Sequence, residues 1–90
     1  MLIEENKIKE ILKKFNSGKF QESFIEIEKL INKNKYNIDL IRTYGLMAKK
    51  IGNVDKAIKS FEYIIQKNPK DLIALHNLYS IFMQKKIYHK

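Results

Sequence analysis

Residues 38–71 read IDLIRTYGLMAKKIGNVDKAIKSFEYIIQKNPKD, and this stretch decides the fold. Asn37, just before it, can cap a helix by accepting a backbone N–H from the first turn. The helix runs over about Ile38–Lys50 and ends near Gly52. Asn53 can cap a second one over about Val54–Lys67. Asn68-Pro69 stops that helix, because the residue before a proline is pushed out of the helical region. The stretch is therefore a helical hairpin bounded at both ends.

The rest of the chain nearly repeats it at a spacing of 34 residues: Gly18 recurs as Gly52, Phe20 as Val54, Ser23 as Ala57, Ile27 as Phe61 and Asn37 as Asp71. A fixed period of that length signals stacked helix-turn-helix units, each too small to bury its own apolar face. Upstream, Ile8, Ile11, Leu12 and Phe15 form one amphipathic stripe that ends at Asn16-Ser17-Gly18. A second helix over about Gln21–Lys33 is expected to bury Ser23, Phe24, Ile27, Leu30 and Ile31. The first of these helices aligns with the middle unit at 33 residues rather than 34, which places Leu12 where the middle unit has Gly45. That hairpin is expected to splay. Downstream, Asp71 caps a fifth helix over about Leu72–Lys85, and the third unit stops at Lys90 where its second helix would begin. No strand signal occurs. The expectation is an all-α chain of antiparallel helix hairpins, an α-solenoid of about two and a half repeats and five helices. It forms one domain over 1–90, with units at about 4–37, 38–71 and an incomplete 72–90.

Within the middle unit, Ile41-x2-Tyr44-Gly45-x2-Ala48, then Ala57-x3-Phe61, then Pro69, resembles the tetratricopeptide repeat (TPR) family, with Ile41 and Ala48 standing where an aromatic is usual. The resemblance implies hairpins stacked in a right-handed superhelical turn, with the first helices lining a concave groove that binds a peptide or helix. Carried over by position, that groove comprises Lys9, Lys13 and Asn16, then Arg42, Leu46 and Lys49, then His76, Asn77, Ser80 and Met83. The set contains no acid, so an acidic or carboxylate-ended segment is the expected ligand, through charge-assisted hydrogen bonds. The family's carboxylate clamp is a poor match: Lys9 fits its first place, but Lys13, Thr43, Ile73 and Asn77 occupy the others. Ala57 is expected at the closest approach of the third and fourth helices, beside Gly45.

Composition narrows the function further. The net charge is +8 over 90 residues, but fifteen Ile, seventeen Lys, eight Asn and one Arg are the bias of an AT-rich genome, in which Lys is the default surface residue. Nucleic-acid binding through that charge is the weaker reading, since the aromatics sit mainly at core spacing and are not interleaved with lysines. There is no cysteine, no long apolar run and no basic leader, so a soluble cytoplasmic protein is expected. His76 and His89 have no Asp, Glu or His at ligand spacing, which argues against a metal. No serine lies in a nucleophile elbow and the glycines form no phosphate loop. Glu22, Glu26 and Lys29, and Asp55 with Lys59, read as helix-stabilising pairs. No catalytic group and no cofactor follow, so the chain is expected to be a non-enzymatic protein-interaction scaffold. The alternative is the leading segment of a larger protein, since TPR arrays often precede glycosyltransferase or sulfotransferase domains.

Leu75, Leu78, Tyr79 and Phe82 complete the reading. They occupy core positions of the repeat, yet the helix that would close over them is missing. Self-association, or capture of a helix in trans, is expected through this stripe, opposed only by basic charge near Lys85, Lys86 and Lys90.

Overall fold

The computed structural model describes residues 5–88, with side chains from 6 to 84. His89 and the lysines at 85, 86 and 90 lie outside the described side chains. The described chain is all-helical: α1 Glu5–Asn16, α2 Phe20–Lys33, α3 Ile38–Lys50, α4 Val54–Lys67 and α5 Leu72–Tyr88, with no strand among these residues. The boundaries follow the stop signals closely, except that α1 begins before its apolar stripe and α5 runs to Tyr88.

The turns show why the period holds. Gly18 and Gly52 have φ of +101° and +84°, the left-handed region in which a side chain is strained. Beyond Gly18 the Lys19 N–H donates to the Lys14 carbonyl at 3.0 Å, and beyond Gly52 the Asn53 N–H donates to the Ala48 carbonyl at 2.8 Å. Both are the six-to-one bond of a glycine-terminated helix end. The connections between hairpins also match. The Asn37 N–H donates to the Asn34 carbonyl and the Asp71 N–H to the Asn68 carbonyl, each at 3.1 Å. Asn37 Oδ1 then accepts from the Leu40 N–H at 2.9 Å, and Asp71 Oδ1 from the Ala74 N–H at 3.0 Å, so both caps perform the task their positions predict.

Helices adjacent in the chain pack on one another, α3 with α4 most extensively, then α1 with α2. Their common core holds Ile11 and Phe15 of α1, Phe24 and Ile27 of α2, Leu40, Ile41, Met47 and Ala48 of α3, Ala57, Phe61 and Ile64 of α4, and Ala74 and Ile81 of α5. Leu30 and Ile31, expected in the core, are only half-buried against it, as is Leu12. Ser23 and Ser60 are buried but return their hydroxyls to the carbonyls of Lys19 and Lys56, at 2.7 and 2.9 Å, so neither leaves an unmet donor.

Gly45 lets α4 close tightly on α3. A Cβ on Gly45 would lie 3.0 Å from the Phe61 ring and 3.0 Å from Ser60 Cβ. Ser60 and Phe61 are the nearest neighbours of that position, and Ala57, one turn earlier on α4, is fully buried.

Charged side chains bind helices to each other more than they stabilise single helices. Lys14 of α1 donates to Glu26 at 2.6 Å and lies 4.0 Å from Glu22, so both acids reach across the hairpin and do not pair with Lys29. Glu28 of α2 accepts from Tyr44 of α3 at 2.7 Å and from Lys56 of α4 at 2.6 Å, while the Phe24 and Tyr44 rings stack 4.8 Å apart. Lys56 and then Tyr44 hold the Glu28 carboxyl below its ordinary value, and burial followed by Glu28 holds the Tyr44 phenol above its own.

Candidate interaction surfaces on the third and fifth helices

The ten residues placed along the first helices of the three units divide into three groups. Lys9, Lys13 and Asn16 of α1 are exposed, as are Leu46 of α3 and His76 and Met83 of α5. Arg42 is already committed. Its Nη1 donates to Asp39, one turn back on α3, at 2.9 Å, and its Nη2 donates to Asp71 at the start of α5. The Asp71 side chain is 9% exposed and that of Arg42 20%, so this pair is largely shielded from water. The Ala74 N–H, with Arg42 beside it, holds the Asp71 carboxyl below its ordinary value. The surface is thus not free of acids, and Arg42 pins α5 to α3.

Lys49 is placed differently. Its ammonium donates to Asn77 Oδ1 at 2.9 Å and to Ser80 Oγ at 3.3 Å, both neutral, and among the described residues no carboxylate pairs with it. Asn77, expected as an exposed groove residue, is 7% exposed. Its Nδ2 donates to the Ile73 carbonyl at 2.8 Å, which turns its amide oxygen toward Lys49. Ser80 is half-buried. The arrangement is a polar floor between α3 and α5 that positions a cation without neutralising it, flanked by exposed Leu46, His76 and Met83.

On α5 the core face is formed by Ala74, Asn77 and Ile81, spaced i, i+3 and i+7. Leu78, expected on the free stripe, is half-buried against the core and lines a shallow depression with Tyr63 and Ile65 of α4. Its neighbours Leu75, Tyr79 and Phe82 are exposed. Leu72 at 77% and Met83 at 39% join them on the same side, residues that the repeat pattern did not assign to it. Nothing from Leu72 to Gln84 is charged, in a chain that is 31% charged.

Sequence reasoning missed Asp39, Asp71 and Glu28 as partners. The Asp39–Arg42 pair was visible as an i,i+3 spacing on one helix. The Arg42–Asp71 pair spans 29 residues and no local signal announces it. No helix among the described residues is long and apolar enough to cross a membrane. No protein-family model matches the chain, and neither a curated protein nor a solved structure matches it.

Proposed function

We propose that this chain is a non-enzymatic protein-interaction module of tetratricopeptide type, in which successive helix hairpins stack as a short solenoid and the face shared by α1, α3 and α5 receives an acidic peptide or helix. The observation that carries the reading is Lys49. A cation held by two neutral oxygens keeps its charge for a ligand, and a carboxylate arriving there gains a charge-assisted hydrogen bond from an already positioned donor. Lys9 and Lys13 extend the positive surface along α1, and Leu46 and Met83 offer apolar contact beside it. Arg42 takes no part in ligand binding, since its charge is engaged by Asp39 and Asp71.

Selection from a displayed peptide library tests this. Enrichment of Asp- and Glu-rich sequences, with affinity lost in Lys49→Glu and weakened by added salt, is the expected result. Enriched peptides without acidic residues, or full binding by Lys49→Glu, would refute the assignment. Arg42 should not be altered in this experiment, because its loss also releases α5.

A further inference from the structure

We propose that the bare face of α5 is a homodimer seam, on which a second copy of this chain lays its own α5 antiparallel. This surface touches the Lys49 floor only at Met83, makes no use of Lys49, and stands or falls without it.

The equivalence of the units shows what the face is. Ile41, Gly45 and Ala48 of α3 are buried, Gly45 directly beneath Ser60 and Phe61 of α4. Their counterparts one period later are Leu75, Tyr79 and Phe82, all exposed, Tyr79 by 66% and Phe82 by 49%. The face that α4 covers on α3 is therefore left partly open on α5 among the described residues, Leu75 by 40%. The occupant cannot dock as α4 does. A single Cβ at Gly45 would already press Phe61 and Ser60 at 3.0 Å, and α5 carries a tyrosine there and a phenylalanine where α3 has alanine. A helix meeting this surface must stand farther off and interdigitate with large side chains.

A second α5 meets that requirement. Leu72, Leu75, Tyr79 and Phe82 are spaced three, four and three residues apart, the alternation that lets two helices mesh knobs into holes. The stripe is uncharged, so two copies bring no like charges together at the seam. Together with Met83, these side chains present roughly 500 Å² per copy, so two copies that cover them completely bury about 1,000 Å² at most, the lower limit for a specific interface. The size fits a dimer that forms and dissociates with concentration. Orientation follows from the ends. A parallel pair would set side by side the two C-terminal ends of α5, where the sequence carries Lys85 and Lys86, and would align the helix dipoles. An antiparallel pair separates them. The net charge of +8 opposes association at long range and is screened beyond about 8 Å at physiological salt, so dimerisation should tighten as salt is added.

Sedimentation equilibrium on the full chain from micromolar to millimolar protein should show the mass rising from one chain to two and no further. Tyr79→Glu and Phe82→Glu should each raise the dissociation constant at least about tenfold with helicity unchanged, as expected of central apolar contacts. Tyr36→Glu, at an exposed aromatic in the α2–α3 turn, should leave it unaltered. The chain has no native cysteine, so Leu75→Cys and Phe82→Cys chains can be mixed and oxidised, and the mixed disulfide should outweigh either homodimer. A monomer at millimolar protein overturns the proposal, as do open-ended oligomers, equal weakening by Tyr36→Glu, or a predominant disulfide between two copies of the Leu75→Cys chain. A chain that stays monomeric yet captures an unrelated amphipathic helix would assign the face to a different partner and overturn the second copy.

Discussion

α3 and α5 lie one 34-residue sequence period apart, yet the positions that correspond are buried on one and exposed on the other. α3 turns Ile41, Gly45 and Ala48 toward α4, and the absence of a side chain at Gly45 lets Phe61 and Ser60 close on it. α5 turns Leu75, Tyr79 and Phe82 the same way, and among the described residues they remain 40%, 66% and 49% exposed. Identical register with opposite side-chain size teaches that the repeat specifies where a face points, while residue volume decides what can cover it.

The largest effect should come from exchanging volumes across this pair. Gly45→Leu forces a branched side chain against Phe61, which is fully buried and has no room to withdraw, at the upper end of about 1–3 kcal/mol. On a domain of this size that lowers Tm by roughly 10 °C or more, measurable by calorimetry. The counterpart change Tyr79→Ala, measured at protein concentrations too low for association, should shift stability by less than about 0.5 kcal/mol. Comparable losses at the two positions would mean that the α5 face is already covered.

Next in size is the attachment of α5. Asp71→Ala removes both an N-cap and the partner of Arg42, and should cost about 1–2 kcal/mol in chemical denaturation. Hydrogen exchange should quicken first in α5. A double-mutant cycle with Arg42→Ala should show a coupling between the two residues, and strict additivity would contradict the shielded pair.

The exposed face of α5 was legible where the repeat is legible. Leu75, Tyr79 and Phe82 could be placed on an unclosed face because Ile41, Gly45 and Ala48 stand one period earlier, and the turn signals Gly18, Gly52, Asn37 and Asp71 located the helices. Three residues escaped for physical reasons. Leu78 lies at the edge between core and stripe, where spacing alone does not say which side wins. Asn77 has the polarity of a surface residue but buries itself by returning its amide to Ile73. Arg42 looked like ligand-binding charge because its shielded partner, Asp71, caps another helix, and only the folded chain brings the two together. Residue type on a helix face predicts burial well and predicts the pairing of charge between helices poorly.

The smallest effect is on pH dependence. Glu28 and Asp71 are both held below their ordinary carboxylate values in the folded chain. A depressed native value means the contribution to stability is complete above the unfolded values, 4.5 and 3.8, and is lost as pH falls from there through the native ones. Unfolding midpoints in denaturant should therefore be flat near neutrality and decline below about pH 4.5. Tyr44→Phe should flatten part of that decline by removing one donor to Glu28. An unchanged acid limb in that variant would show that Lys56 alone holds the carboxyl.

The open face itself is tested most directly by methyl relaxation with an inert soluble paramagnet, recorded at low and at millimolar protein concentration. At low concentration the methyls of Leu72, Leu75 and Met83 should relax strongly, while those of Ile41, Ile64 and Ala74 stay protected. At millimolar concentration the α5 methyls should become protected, and Leu46, away from the seam, should not change. Protection of Leu72 and Leu75 at every concentration would mean that the chain covers its own stripe, and strong relaxation at every concentration would mean that no second copy seats on it.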